Sequence, residues 1–236
     1  KLNTGTKDPR IRAVLEEFAG AGAPREILWE AKPHIGTDRL PAVVKKIRGV
    51  ILSLGGEVRF DTRMTGLSVR DGAVSGVRFA GRSGGEETLE ARAVFLAVGH
   101  SARDTFASLC ALGLPMEAKP FAVGARIEHP QELIDRAQYG KFAGHPALGA
   151  ADYRLAVHLE SGRGVYTFCM CPGGSVVAAA SEEGRLVTNG MSAFARDGAN
   201  ANSALLVGVG PADFGGCGPL AGVEFQRRLE EQAFRL

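Results

Sequence analysis

The apolar positions of the chain recur at two different periods, and the change of period divides it into helical and extended parts. Between residues 40 and 54 the apolar side chains return at three- and four-residue steps, as in an amphipathic helix. A polar capping residue stands before this run, and Gly55-Gly56 stands after it. The pattern predicts helices over Arg10–Ala19, from Thr37 or Asp38 to Leu54, over Gln131–Gln138, and from about Pro219 to Leu236.

After Gly56 the apolar residues alternate with polar ones, which predicts strands. These strands cover Glu57–Asp61, Met64–Arg70, Ala73–Phe79 and Thr88–Arg92, and Asp71-Gly72 is a hairpin-turn signal. The next segment, Ala93–Gly99, is apolar at every position. Such a run is typical of a strand buried on both faces of a parallel sheet.

Beyond about Pro115 six further strands follow one another, with Gly-rich connections. They are predicted over Phe121–Glu128, Tyr153–Leu159, Gly164–Met170, Ser175–Ala180, Leu186–Met191 and Ser203–Val209. Strands without intervening helices favour a mainly antiparallel sheet. The chain is therefore predicted to be a mixed α/β (α+β) protein with a domain boundary near Leu112–Pro115.

Composition narrows the function classes. With 28 Lys+Arg against 26 Asp+Glu the net charge is +2, which excludes the broad positive field of a nucleic-acid or anionic-membrane binder. No apolar run approaches the length of about 20 residues that a membrane helix needs. Four cysteines are too few for a disulfide scaffold, so a reducing, cytoplasmic setting is expected.

Two of those cysteines, Cys169 and Cys171, would point to one face of a strand. Three interpretations stay open: two small side chains packing in the sheet, a redox thiol pair, or, least supported, two ligands of an incomplete metal site. No metal site is predicted. Arg126, Glu128 and His129 follow a strand and are interpreted as a structural rim.

The segment 189–203 is the best candidate for a substrate site because it concentrates hydrogen-bonding side chains between two apolar strands. Its members are Asn189, Ser192, Arg196, Asp197, Asn200, Asn202 and Ser203. Arg196 could clamp a carboxylate or phosphate. The alternative is a solvated loop whose Asn and Asp side chains make local turns.

Several motifs resemble one family. They are Lys1-Leu-Asn-Thr-Gly5, Lys32-Pro-His-Ile-Gly-Thr-Asp38, Gly99-His-Ser-Ala-Arg-Asp104, Phe168-Cys-Met-Cys-Pro-Gly-Gly174, Asn189-Gly-Met-Ser192 and Arg196-Asp-Gly-Ala-Asn-Ala-Asn-Ser203. Together with the order helix, Gly-Gly, strand, hairpin and apolar strand, they are similar to a bacterial group of FAD-dependent dehydrogenases, also called NAD(P)/FAD-dependent oxidoreductases.

The resemblance implies part of a Rossmann-like FAD-binding domain over residues 1–114, an antiparallel substrate domain over 115–218, and a helix over 219–236 returning to the first domain. It also implies which residues approach the FAD: Asn3, Thr4, Met64, Ala97, Gly99 and His100. Candidate catalytic residues are Arg196, Cys169, Cys171 and His100. The substrate would be a small organic molecule, with NAD(P)H as a candidate electron partner.

The sequence departs from the family pattern in two places. The G-x-G-x-x-G turn that holds the pyrophosphate is absent, as is the family's later Gly-Asp segment. We therefore expect an internal piece of a larger flavoprotein that retains little or no FAD by itself. The alternatives are a folded but inactive binding or structural module, and a thiol redox protein using Cys169 and Cys171.

Overall fold

The computed structural model describes residues 7–236. The helices are α1 (Arg10–Gly20), α2 (Leu40–Ser53), α3 (Arg103–Ala111), α4 (Gln131–Tyr139) and α5 (Ala221–Arg235). The strands are β1 (Arg63–Arg70), β2 (Ala73–Ala80), β3 (Glu86–Glu90), β4 (Phe121–Pro130), β5 (Ala156–His158), β6 (Gly164–Cys171), β7 (Gly174–Ala179), β8 (Val187–Ser192) and β9 (Asn200–Val209).

The chain forms two compact units. The first contains residues 7–58, 122–179 and 187–208, and the second contains 59–121, 180–186 and 209–236. These units differ from the expected domains 1–114, 115–218 and 219–236, since α1 and α2 belong with the later sheet. The expected domain boundaries stay a prediction.

The first unit is built on antiparallel pairing. Its main sheet has the strand order β4-β9-β6-β5, and β7 and β8 form a separate hairpin. Strand β6 is antiparallel to both β5 and β9. The mixed α/β class and the antiparallel character of this region are therefore confirmed, whereas the described residues contain no Rossmann-like parallel sheet.

Helices α1 and α2 enclose a small apolar core in the same unit. Ile27, in a short 3-10 turn, and Val43 of α2 are 1% and 2% exposed, and Ile47 packs beside them. Only one stripe of α2 is used in this way. Val44 and Val50 remain 52% and 48% exposed, so the amphipathic pattern predicted this helix but not how little of it would be covered.

The second unit contains the meander β1-β2-β3 and a buried ion-pair network. Arg103, at the start of α3, has a side chain only 2% exposed. It donates to both carboxylate oxygens of Glu230 on α5, at 3.0 and 2.6 Å, and to Glu182 at 2.6 Å. Because each charge faces an opposite one, the network compensates for the cost of burying Arg103.

Three sequence expectations were wrong. Residues 57–61 form no strand, and Ala93–Gly99 is an extended segment without strand pairing, in which Phe95 is 94% exposed. A buried strand needs neighbours for its N–H and C=O groups, and no described residue pairs with this one. Residues 200–202, which were expected in a loop, are the start of β9. No helix of the described residues could cross a membrane, and no cluster of three metal-ligating side chains occurs among them.

Candidate functional site

The site begins at a bulge in β6. Phe168 pairs with Ala204 and Cys171 pairs with Asn202, so three steps on β6 match two on β9. Cys169 lies in the bulge with φ of 49°, in the left-handed region that non-glycine residues rarely adopt. The simple alternation that predicted Cys169 and Cys171 on one face is therefore interrupted. Strain of this kind persists only where the surrounding structure enforces it.

The turn after β6 packs directly against the 191–198 segment. A Cβ on Gly173 would lie 1.9 Å from the carbonyl oxygen of Arg196, and one on Gly174 would lie 2.2 Å from that of Met191. Ser192 is buried and donates its hydroxyl to the carbonyl of Pro172 at 2.7 Å. The two motifs 168–174 and 189–192 thus form one close-packed structure that only glycine permits at these positions.

A third motif, residues 32–38, supports the same segment from the other side. The backbone N–H and the hydroxyl of Thr37 both donate to the carbonyl of Ser192, each at 3.1 Å. His34 Nε2 lies 3.0 Å from the carbonyl oxygen of Ala193, and Asp38 accepts the backbone N–H of Phe194 at 2.9 Å. This last bond lowers the pKa of Asp38. Asp38 therefore stabilises the site loop rather than capping α2.

These three motifs surround a cavity of about 130 Å³. It is lined by His34, Thr37, Leu40, Cys169, Cys171, Gly190, Ser192 and Arg196, among others. The structure thus brings together all of the candidate catalytic residues except His100. Cys169 also lines a second, larger cavity, so it forms part of the wall between the two.

Arg196 supplies the charge of the small cavity. It is half-buried, has φ of 55°, and makes no ion pair with any residue in the described part of the chain. Cys169 and Cys171 are thiols rather than disulfide partners. A guanidinium on a cavity wall attracts small anions such as carboxylates. The small cavity therefore combines one guanidinium with two thiols in its lining.

The other predicted substrate-binding side chains have structural partners. Asn202 is fully buried and accepts from Arg126 Nη1 at 2.5 Å. Asn200 donates to Glu128 at 2.7 Å, and Glu128 also accepts the backbone N–H of Val176, which lowers the pKa of Glu128. These contacts agree with the interpretation of Arg126 and Glu128 as structural.

The side chains of Ser192 and Asn189 likewise make hydrogen bonds within the protein. Ser192 bonds the turn as described, and Asn189 accepts the N–H of Gly190 at 2.9 Å. Within the predicted substrate-binding set, Arg196 is the charged residue on the cavity wall, and it makes no ion pair with residues 7–236. The assignment of substrate contacts to all of these residues stays a prediction.

The residues expected to approach FAD lie elsewhere. Met64, Ala97, Gly99 and His100 belong to the second unit, and Asn3 and Thr4 lie outside the described residues. Gly99 has φ of 70°, but a Cβ there would meet nothing within 4 Å. His100 is exposed and bonded to Ser101. Met64, Ala97, Gly99 and His100 form no cradle for a dinucleotide within residues 7–236.

Sequence reasoning missed part of the site. The motif 32–38 carried the family resemblance but was given no role, although His34 and Thr37 line the cavity. The sequence pattern likewise does not indicate Tyr153 and Trp29, which line the larger cavity. Only the presence of the motif itself could have drawn attention to His34 and Thr37, because their contacts span more than 150 residues of sequence.

Comparison with known proteins shows what parts of the chain are similar to. Residues 120–236 match the family described as "FAD-dependent protein, C-terminal domain-like". The matched segment includes Cys169, Cys171 and Arg196. An uncharacterised protein of Clostridium beijerinckii is 54% identical over 237 residues, which cover 100% of this chain and 44% of that protein. The chain thus spans less than half the length of this relative.

Proposed function

We propose that the protein is an FAD-dependent oxidoreductase acting on a small organic substrate that bears an anionic group. The observation that supports it most is the family match over residues 120–236, a segment that includes the cavity-lining residues Cys169, Cys171 and Arg196. In this proposal FAD carries the electrons, and the protein's residues orient the substrate. A Rossmann-like FAD-binding domain, NAD(P)H as electron partner and a cytoplasmic location belong to the same proposal.

Flavin content tests the first part of the proposal. The protein expressed from its complete coding sequence is expected to purify with bound FAD, which NADH or NADPH bleaches under anaerobic conditions. The isolated 236-residue chain is expected to be nearly colourless. A complete protein without flavin would instead favour a binding or structural module.

Thiol alkylation tests the role assigned to Arg196. Iodoacetate is anionic and iodoacetamide is neutral, so a guanidinium beside Cys169 should accelerate the first reagent selectively. Arg196→Met should lower the iodoacetate rate at Cys169 about fivefold, as expected from the loss of about 1 kcal/mol of charge attraction. Its iodoacetamide rate should change little.

Two controls make this comparison specific. Cys217 is exposed and does not line the cavity, so its alkylation should be indifferent to Arg196→Met. Arg235→Met removes an exposed arginine that has no ion-pair partner among residues 7–236. If Arg196→Met slows both reagents equally, or changes Cys217 as much as Cys169, then Arg196 is not an anion-binding group of this cavity.

A thiol redox protein is the second candidate, and the strained backbone of Cys169, on a cavity that Arg196 also lines, supports it. The double variant Cys169→Ser/Cys171→Ser distinguishes the two. Under the flavin proposal the complete protein retains NAD(P)H-dependent flavin reduction. Under the thiol proposal it loses its dithiol-dependent electron transfer, and flavin is dispensable.

A further inference from the structure

The larger cavity of the first unit has a volume of about 790 Å³, which is within the usual range for a small-molecule site. Its walls include four aromatic side chains: Trp29, Tyr153, Tyr166 and Phe168. Three of them have much of their surface exposed to solvent: Trp29 is 68% exposed, Phe168 53% and Tyr166 36%. Aromatic surface gathered around one concavity is suited to a planar, apolar group.

Hydrogen bonds hold one of these aromatic side chains, Tyr153, in place. The hydroxyl of Tyr153 lies 2.8 Å from His129 Nε2 and also bonds Ser203, which is 2% exposed. Burial raises the pKa of Tyr153, so its ring stays neutral at physiological pH. His129 therefore positions the aromatic ring of Tyr153 in the cavity wall, a more specific role than the structural one expected for His129 from the sequence.

The charged residues of the cavity are not all paired. Lys32 is neutralised by Asp152 at 2.7 Å. Glu30 and Arg154 also line the cavity, are exposed, and make no ion pair with each other or with any other residue of the described chain. The cavity thus presents one free carboxylate and one free guanidinium together with its aromatic walls.

We propose that this cavity binds a zwitterionic aromatic molecule of the α-amino acid class, with its carboxylate at Arg154 and its ammonium at Glu30. The ring lies among the aromatic side chains. A purely anionic ligand would meet repulsion from Glu30, and a purely cationic one would meet repulsion from Arg154. This proposal does not depend on the flavin assignment.

Trp29 provides a direct readout because it is the only tryptophan of the chain. The 236-residue chain is titrated with L-phenylalanine, 3-phenylpropanoate and phenethylamine while tryptophan emission is followed. The first probe has both charges, and each of the others has one. L-phenylalanine should bind at least about fivefold more tightly than either analogue, since each ligand–protein ion pair contributes about that factor.

Single substitutions separate the two charge contacts. Arg154→Gln should weaken L-phenylalanine and 3-phenylpropanoate about fivefold and leave phenethylamine unchanged, whereas Glu30→Gln should weaken L-phenylalanine and phenethylamine only. Arg25→Gln and Glu160→Gln are matched controls, because both residues are exposed and neither lines the cavity. They should change none of the three affinities.

Three results overturn the proposal: no response to L-phenylalanine, equal affinity for all three probes, or equal effects of the cavity and control substitutions. None of them bears on whether the complete protein holds FAD. Conversely, absence of flavin would leave the expected selectivity of this cavity unchanged, so failure of one proposal is distinguishable from failure of the other.

Discussion

Substituting alanine for Gly173 perturbs the candidate site at its tightest backbone contact. The new Cβ would lie 1.9 Å from the carbonyl oxygen and 2.8 Å from the Cα of Arg196, where approaches below 3.0 Å essentially never occur. The backbone at residue 196 would have to move by about 1 Å. The residue also has φ of 52°, which costs alanine about 1–2 kcal/mol. Adding about 1–3 kcal/mol for overpacking gives an expected loss of about 2–5 kcal/mol.

Gly162→Ala is the matched control for this substitution. Gly162 has φ of 80° in the same unit, but a Cβ there would meet nothing within 4 Å, so only the conformational cost of about 1–2 kcal/mol is expected. Urea unfolding followed by Trp29 fluorescence measures both variants, because Trp29 belongs to the same unit. Gly173→Ala should also abolish the iodoacetate preference of Cys169. Equal stabilities of the two variants would refute the close packing of the turn against residue 196.

Three further substitutions test other parts of the account. Arg103→Met should destabilise the second unit by about 3–5 kcal/mol, because it leaves Glu230 buried without its partner. Urea unfolding followed by circular dichroism measures this loss, and a loss below about 1 kcal/mol would contradict the prediction. The pKa of Glu182 is lowered from 4.5 to about 2, mainly by its hydrogen bond with Arg227. A carboxyl whose pKa is lower in the folded than in the unfolded state stabilises the fold at pH values above its unfolded pKa, so stability should fall as the pH drops from about 4.5 towards 2. Glu182→Gln should flatten this pH dependence of stability. Ser192→Ala should cost about 1–3 kcal/mol in urea unfolding because it leaves a buried turn carbonyl unsatisfied, whereas an unchanged stability would mean that this bond contributes nothing.

Local sequence signals predicted the elements whose stabilising contacts are also local. The Asp71-Gly72 signal is an example: these two residues have φ of 52° and 76°, and β1 and β2 pair on either side of them. The six later strands were located to within a few residues for the same reason, since alternation and glycine-rich turns are read within each segment.

The parts that could not be predicted depend on partners far along the chain. Asn202 looks like a loop residue by composition, yet it is buried in β9, where it accepts a hydrogen bond from Arg126. The bulge at Cys169 is a property of β6 paired with β9, and it leaves no signal in the spacing of residues. The family resemblance named the three motifs separately, and only the structure shows that they line one cavity.

The flavin assignment is tested most directly by the visible absorbance spectrum of the protein purified from its complete coding sequence, with the bound cofactor quantified after denaturation. We predict close to one FAD per polypeptide, with reduction by NADH or NADPH. A folded complete protein that carries no flavin, and takes none up when FAD is supplied, would contradict the proposed function.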